Sequence, residues 1–272
     1  LGSGSGVVYD NSGHILTNDH VVAAGSNYQV VLSNGTIYPA ELVGTDPTTD
    51  LAVLEISAAG LTPIELGATT SLTVGDPAVA VGSPLGLDGG PSLTVGVVSA
   101  FGREVRTDAT TTLFGMLQTD APITQGSSGG ALVDGSGRLV GITTAVGVSD
   151  VGIEGIGFAT PVEIVARVAD EIIADGSASR PYIGIRGVTT FADTTDGGSA
   201  PIGVLIDSVE PETGAAAAGL AQGDVIAAIN DSPVKTMDEL VALLREYGSG
   251  ATINVTLDGG SVVAVTLGQN PG

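Results

Sequence analysis

One short segment of this 272-residue chain has the composition of a nucleophile site. Residues 125–130 read QGSSGG, which places Ser128 among glycines. A serine hydroxyl becomes an effective nucleophile when it is exposed, when a base lies within hydrogen-bond reach, and when donors face the developing oxyanion. Glycines supply the exposure and let backbone N–H groups converge on one point. The same segment also fits an ordinary polar turn before a strand, so the motif alone leaves both interpretations open.

The segment also fits the Gly-x-Ser-x-Gly pattern of the α/β-hydrolase nucleophile elbow. An elbow is followed by a helix, whereas residues 131–135 (ALVDG) predict a strand and a turn. Elbow enzymes also place their histidine after the serine. Both histidines of this chain, His14 and His20, precede Ser128. The elbow interpretation therefore fails.

The base for Ser128 must be one of these two histidines. His14 lies in the turn of a predicted hairpin, where we expect a solvated side chain. His20 follows the strand-like run ILTND and is the better candidate. Asp50 or Asp46 could orient its imidazole, and spacing alone does not choose between them. Three further aspartates lie in segments that could serve: Asp10, Asp19 and Asp120.

The composition excludes several classes of function. Thirty acidic residues against eight basic ones give a net charge of -22, which repels nucleic-acid phosphates and anionic membranes, so no nucleic-acid partner is expected. Lys235 is the only lysine and follows no glycine-rich loop, which excludes a P-loop. The chain has no cysteine and no His-Glu-x-x-His spacing, so neither thiol catalysis nor a zinc site is indicated, and we expect no cofactor.

Patterning predicts a mainly β protein. Hydrophobic residues make up 43% of the chain but aromatic residues only 3%, so the core must consist of Val, Leu, Ile and Ala. From Val7 to about Thr160, short β-type runs alternate with turn signals, as in a sandwich or barrel. The pair Asn34-Gly35 predicts a tight hairpin.

Two helices are predicted from their capping patterns. Residues 160–163 (TPVE) suggest Thr160 as a cap for a helix that runs to about Asp175 and ends at Gly176. Residues 177–181 (SASRP) read as a linker to a module of five strands and one amphipathic helix. That helix begins with a capping box of Thr236 and Glu239, and we expect it to span residues 237–247.

The chain resembles the HtrA/Deg family of PDZ-containing serine proteases over essentially its whole length. Each matching stretch is weak alone, but their order is specific. The stretches read GSGVV (4–8), ILTNDHVV (15–22), GTDPTTDLAVL (44–54), QTDAPI (118–123), GSSGG (126–130) and IGFATP (156–161).

The resemblance implies a chymotrypsin-like double β-barrel in residues 1–168, a helix end and linker in 169–180, and a small α+β PDZ domain in 181–270. It implies a catalytic triad of His20, Asp50 and Ser128, and an oxyanion hole made by the N–H groups of Gly126 and Ser128. The implied specificity pocket, which selects small aliphatic residues, contains Ile156, Gly157 and Phe158. The implied loop for a peptide's terminal carboxylate contains Tyr182, Ile183, Gly184 and Ile185.

Two departures from the family pattern stand out. Ser127 replaces the usual asparagine, but the oxyanion hole is built from backbone, so we expect activity to survive. We also expect the family's first strand to precede Leu1.

The activity implied by the resemblance is ATP-independent cleavage of unfolded or misfolded proteins. It implies a homotrimer or larger oligomer in an extracytoplasmic compartment: periplasmic, secreted, or anchored to the outer side of the inner membrane. The alternative is a chaperone or scaffold that binds hydrophobic chain ends without hydrolysing them. The full set of His20, Asp50 and Ser128 favours the enzyme, because a pure binding protein has no need of all three.

Overall fold

The chain folds into two compact units, Leu1–Ala178 and Ser179–Gly272. The computed structural model describes residues 2–83, 90–107, 111–124, 126–144 and 155–270. Gln125 of the QGSSGG segment therefore lies outside the described residues. Each unit has a hydrophobic core of its own.

The first sheet of unit 1 is antiparallel and open. Its spatial order is β1-β2-β5-β4-β3, with strands β1 (Val7–Val8), β2 (His14–Thr17), β3 (Tyr28–Val31), β4 (Ile37–Asp46) and β5 (Leu51–Ile56). The central β5 is buried at every position except Glu55, as expected for a strand covered on both faces. Gly35 has φ of +83° in the β3–β4 turn, which confirms the predicted hairpin.

The second sheet of unit 1 closes into a six-stranded barrel in the order β10-β11-β8-β7-β6-β9. Its strands are β6 (Pro77–Gly82), β7 (Ser92–Arg106), β8 (Thr112–Thr119), β9 (Ala131–Asp134), β10 (Leu139–Thr144) and β11 (Gly157–Pro161). The interior is aliphatic, as the composition predicts, and includes Val98, Leu117, Leu132 and Val140. The mainly β, chymotrypsin-like class is thus confirmed, with one sheet closed and the other open.

The described residues of unit 1 contain two α-helices and a short 3₁₀ helix, Thr69–Ser71. The short α1 (Asp19–Val22) follows β2, and α2 (Val162–Asp175) follows β11. Helix α2 ends where expected, at Gly176 with φ of +76°. The predicted cap at Thr160 is wrong, because Thr160 remains in β11 and its hydroxyl donates to the Thr49 carbonyl at 3.2 Å. Glu163 instead accepts from the backbone and hydroxyl of Thr69, both at 2.7 Å.

Unit 2 is an α+β module. Its main sheet has the order β13-β14-β15-β17-β18, with β16 added to β15, and a small second sheet pairs β12 with β19. The strands are β12 (Pro181–Tyr182), β13 (Ile185–Asp193), β14 (Ser199–Val209), β15 (Val225–Ile229), β16 (Ser232–Pro233), β17 (Thr252–Leu257), β18 (Val262–Thr266) and β19 (Gly268–Gln269).

Unit 2 has two helices where one was predicted, α3 (Gly214–Ala218) and α4 (Met237–Leu244). The capping box of Thr236 and Glu239 at the start of α4 is confirmed. The predicted end at Tyr247 is wrong. From Glu246 onward the N–H groups reach back three residues, to Leu243 and Leu244, so the chain has tightened into turns.

Candidate active site

His20 and Asp50 form a hydrogen-bonded pair in unit 1. The imidazole Nδ1 lies 2.8 Å from Asp50 Oδ2 and 2.9 Å from Oδ1, and the His20 backbone N–H donates to Oδ1 at 3.1 Å. A carboxylate only accepts hydrogen bonds, so Nδ1 must carry the proton. The neutral ring therefore presents Nε2 as an acceptor. The Asp50 side chain is 9% exposed and that of His20 is 48% exposed, so the carboxylate is nearly buried while the imidazole is accessible to solvent.

Asp50 holds an unusual backbone conformation. Its φ is +56°, in the left-handed region that aspartate tolerates better than most residues. The buried Asn18 Nδ2 donates to the Asp50 carbonyl at 2.7 Å and also reaches the hydroxyl of Thr144 at 3.2 Å. Asn18 thus joins the segment before His20 to Asp50 and to the end of β10, a role that the sequence analysis did not assign to it.

The other candidate aspartates are engaged elsewhere. Asp46 accepts from the hydroxyls of Thr48 and Thr49, both at 2.8 Å. Asp120 accepts from the backbone N–H of Val97 at 2.7 Å. Of the five aspartates that spacing left open, Asp50 is the one hydrogen-bonded to the His20 imidazole.

Asp10 pairs with His14 at 2.6 Å. The carboxylate of Asp10 also accepts from the backbone N–H groups of Ser12, Gly13 and His14. The expectation that His14 is solvated is wrong, since its side chain is 13% exposed. This second His–Asp pair stabilises the β1–β2 hairpin.

The electrostatics of the His20 site favour the charged imidazole. The hydrogen bond to Asp50 raises the pKa of His20 above 6.5, and burial opposes this only in part. The negative charges of Asp50 and Asp19 act in the same direction. Asp19 itself has a raised pKa, mainly because burial disfavours its carboxylate.

The Ser128 segment is a tight loop before β9. Ser127 N–H donates to the Thr124 carbonyl at 2.9 Å, and Gly129 N–H donates to the Thr143 carbonyl at 2.9 Å. Gly126 and Gly129 have φ of +92° and +84°, which glycine adopts without strain. A Cβ on Gly129 would collide with the Ser5 carbonyl and the Thr17 hydroxyl. The segment is followed by a strand and not a helix, as the argument against an elbow required.

The backbone of Ser128 lies against residues 4 and 5, near the start of unit 1. The Ser128 carbonyl accepts from Ser5 N–H at 2.8 Å. A Cβ built on Gly4 would lie 3.2 Å from that carbonyl oxygen and 2.7 Å from Cγ1 of Val21, the residue after His20. Gly4 therefore lies between the Ser128 loop and the short helix that carries His20.

The three residues of the predicted specificity pocket lie at the start of β11. Ile156 is 37% exposed, and Gly157 pairs with Thr119 of β8. A Cβ on Gly157 would lie 2.6 Å from Cδ1 of Ile123, a residue that the sequence analysis did not single out. Phe158 packs against a buried cluster of Val105, Leu113 and Met116.

The predicted carboxylate loop of unit 2 joins β12 to β13. The carbonyls of Ile183 and Gly184 accept from Ala215 N–H at 3.0 Å and Glu210 N–H at 2.9 Å. Gly184 has φ of +92°, and a Cβ there would collide with the Thr213 side chain.

The loop opens onto a free strand edge. Strand β13 is at the end of its sheet, and Thr189 of this strand accepts from the N–H of Met237 in α4 at 3.0 Å. We call the space between β13 and α4 the β13–α4 groove.

In the described parts of the chain, no group of three or more His, Cys, Asp or Glu could hold a metal ion. No helix in those ranges has the length and hydrophobicity needed to cross a membrane.

Comparison with known proteins assigns a family to each unit. Residues 4–142 match the trypsin-like peptidase domain, and residues 181–263 match the PDZ domain. The serine protease PepD of Mycobacterium tuberculosis is 40% identical, over 98% of this chain and 61% of PepD. The serine protease Do-like HtrA of Lactococcus lactis subsp. cremoris is 39% identical, over 96% of this chain and 69% of that protein. The periplasmic serine endoprotease DegP of Salmonella typhimurium is 38% identical, over 97% of this chain and 56% of DegP.

Solved structures agree with these matches. The HtrA-type protease AlgW with a tripeptide has a TM-score of 0.71 at 32% identity, covering 99% of this chain and 90% of that one. The serine endoprotease from Yersinia pestis has a TM-score of 0.62 at 37% identity, covering 98% and 89%. The chain spans only about three fifths of the length of several curated relatives, 61% of PepD and 64% of the putative serine protease HhoB of Synechocystis among them. It belongs to the HtrA/Deg family of serine proteases, with a trypsin-like peptidase domain followed by a PDZ domain.

Proposed function

We propose that this chain is a serine endopeptidase whose nucleophile is Ser128. The observation that carries the proposal is the His20–Asp50 pair, which fixes the imidazole tautomer and leaves Nε2 free to accept a proton. The position of Gly4, close to both the Ser128 carbonyl and Val21, the residue after His20, supports it as well. A ligand-binding protein has no use for both an anchored imidazole and a glycine-rich serine loop, so these features favour hydrolysis over binding alone.

The proposed reaction proceeds through an acyl-enzyme. Ser128 Oγ attacks the scissile carbonyl carbon as its proton passes to His20 Nε2, and Asp50 stabilises the imidazolium. The N–H groups of Gly126 and Ser128 donate to the oxyanion that forms. His20 then returns the proton to the leaving amine as the C–N bond breaks. A water molecule, activated by the same imidazole, hydrolyses the ester and restores Ser128.

Two neighbouring serines provide the test. We expect Ser128→Ala to abolish both labelling by a fluorophosphonate and degradation of casein, because the nucleophile is gone. Ser127→Ala is the matched control and should keep both, since only the backbone at this position contributes to the oxyanion loop. Casein degradation that persists undiminished in Ser128→Ala would refute the assignment.

We further propose that unit 2 binds peptide C-termini in the β13–α4 groove. The peptide would pair with the free edge of β13 and pack on α4, and its carboxylate would accept from the N–H groups of residues 182–185. The carbonyls of Ile183 and Gly184 accept from the N–H groups of Ala215 and Glu210, so the carbonyls face away from the groove, which supports this orientation of the loop N–H groups. Solved structures of the HtrA-type protease AlgW with a decapeptide and with a tripeptide are consistent with peptide binding by this chain.

The carboxylate provides a direct test of peptide binding. A fluorescent peptide with a free hydrophobic C-terminus should bind, and the same peptide with a C-terminal amide should not. We expect Gly184→Ala to weaken binding, whereas Gly223→Ala, with a similar φ of +95° but open space around a Cβ, should leave it unchanged. Equal affinity for the acid and the amide would remove the case for the loop.

The remaining parts of the proposal concern substrate and setting. We propose unfolded or misfolded proteins as substrates, cleaved after small aliphatic residues at an apolar pocket of Ile156, Gly157, Phe158 and the adjoining Ile123. An extracytoplasmic location is supported by relatives named as periplasmic proteases. From the family resemblance we also propose a homotrimer or larger oligomer. Sedimentation equilibrium would test this by measuring the mass of the assembly in solution.

A further inference from the structure

Ser5 connects the start of unit 1 to the Ser128 loop. The residue is 8% exposed and lies just before β1, yet its hydroxyl donates to the Gly126 carbonyl, 121 positions away, at 2.7 Å. The same oxygen accepts from the N–H of Ser83, the residue after β6, at 2.7 Å. One small side chain therefore satisfies a carbonyl and an N–H from two different segments.

The backbone of Ser5 is held just as firmly. Its N–H donates to the Ser128 carbonyl at 2.8 Å, and its carbonyl accepts from the Thr17 hydroxyl at 2.8 Å. Thr17 ends β2, three positions before His20. With these four bonds the orientation of the Ser5 hydroxyl is fixed, so it restrains the loop and does not merely fill a gap.

The glycines on either side make this approach feasible. A Cβ on Gly4 would lie 2.7 Å from Val21 Cγ1, and a Cβ on Gly6 would lie 2.8 Å from Ile15 Cγ2, closer than real Cβ atoms come to such neighbours. The sequence Gly-Ser-Gly at residues 4–6 thus combines close approach with one precisely held hydroxyl.

The peptide unit between Gly126 and Ser127 is consequently held at both ends. Its carbonyl accepts from Ser5, and its N–H donates to the Thr124 carbonyl at 2.9 Å. Gly126 at φ of +92° has no side chain to restrict its rotation. Without an external restraint, this peptide unit could rotate about the Gly126 backbone bonds, and the backbone that carries the neighbouring N–H groups would be less well fixed.

We propose that Ser5 is a positioning residue of the protease site: by bonding the carbonyls of Gly126 and Ser128 it restrains the loop backbone that carries the N–H groups of Gly126 and Ser128. This inference rests on the proposed function, in which those two groups form the oxyanion hole. The hydrogen bonds of Ser5 go to the backbone of Gly126, Ser83 and Ser128 and to the Thr17 hydroxyl, so we expect its effect to be on stabilisation of the transition state.

The test compares Ser5→Ala with Ser3→Ala, a substitution at an exposed serine two positions earlier. We expect Ser5→Ala to lower kcat about tenfold, less than the 10²–10³ expected for loss of an oxyanion donor itself, with KM unchanged. Affinity for a peptide aldehyde, whose hemiacetal oxygen occupies the oxyanion hole, should fall by the same factor. The pH profile of kcat/KM should not move, because the His20–Asp50 pair is untouched.

An isosteric pair covers the case in which Ser5→Ala does not fold. Ser5→Thr keeps the hydroxyl and Ser5→Val replaces it by a methyl group of similar size, so any strain is shared by both. We expect the threonine variant to retain clearly higher kcat than the valine variant. Equal kcat values for the two would overturn the proposal.

Other outcomes against the proposal are equally plain. It fails if folded Ser5→Ala matches Ser3→Ala in kcat and aldehyde affinity, or if its lower kcat recovers at temperatures far below its unfolding midpoint. If Ser128→Ala itself retained hydrolysis, the proposed function would fall. If Ser128→Ala is inactive while Ser5→Ala is normal, only the role of Ser5 is lost.

Discussion

Replacing Asp50 by asparagine isolates the orienting carboxylate from every other feature of the site. Asparagine has the same shape and, like aspartate, tolerates the left-handed φ of +56° found here. The backbone carbonyl at this position keeps its bond from Asn18 at 2.7 Å, and the amide oxygen still accepts from His20 N–H. The substitution therefore leaves an amide oxygen at Oδ1, removes the acceptor Oδ2 that lies 2.8 Å from Nδ1, and puts an NH₂ donor in its place.

The expected loss follows from the tautomer. An amide NH₂ facing Nδ1 donates to it, so the ring proton moves to Nε2. In the proposed mechanism the ring then no longer accepts the proton of Ser128. Loss of the correct tautomer costs about 10⁴-fold in kcat, equivalent to about 5 kcal/mol of activation free energy. We expect the kcat of Asp50→Asn for hydrolysis of a chromogenic peptide to be lower by about this factor, while its far-UV circular dichroism spectrum is unchanged.

Asp46→Asn is the matched control. Asp46 is also buried and lies in the same turn, but its carboxylate accepts from Thr48 and Thr49 and not from the imidazole. We expect this variant to lose stability but to retain its activity when folded. An Asp50→Asn enzyme within tenfold of the parent, or an inactive but folded Asp46→Asn enzyme, would refute the reasoning.

Two further predictions concern pH and stability. The His20–Asp50 hydrogen bond raises the pKa of His20, and the proposed mechanism needs a neutral imidazole as the base. The value of kcat/KM should therefore rise about tenfold per pH unit up to an apparent pKa above 6.5. A pH profile with its midpoint below 6.5 would contradict this. The same pair stabilises the folded state fully below the unfolded pKa, and urea unfolding should show this contribution disappear as pH rises through the folded pKa. In unit 2, Thr236→Ala removes the capping box of α4 and should cost about 1 kcal/mol in urea unfolding of that unit. An unchanged midpoint would exclude that role.

The sequence predicted the fold and the chemistry more readily than the geometry. Strand alternation, turn signals and the order of the matching stretches were enough for the mainly β class and for the family. Spacing did not choose between Asp46 and Asp50, because the choice depends on a left-handed residue and on Asn18, neither of which leaves a pattern in the sequence. The role inferred for Ser5 depends on a contact across 121 positions, which no local pattern reveals.

The errors at helix ends and at His14 have a common cause. A capping pattern describes local bonds, and at Thr160 a bond to Thr49 in another part of the fold prevailed. His14 was expected to be solvated because it follows a turn. The neighbouring Asp10 carboxylate instead accepts hydrogen bonds from three backbone N–H groups and pairs with the imidazole. These bonds hold the His14 side chain against the hairpin. In both cases competition between polar partners decided the outcome, and residue propensities do not describe such competition.

Lys235 immediately precedes the capping threonine of α4 and is exposed, with its backbone N–H fixed by Glu239 at 2.6 Å. Since it is the chain's single lysine, an amine-reactive dye has only this side chain and the terminal amine to attach to. The absence of cysteine leaves thiol chemistry available for a second chromophore at any chosen position. Energy transfer between two such dyes would report occupancy of the β13–α4 groove during turnover, with one introduced residue.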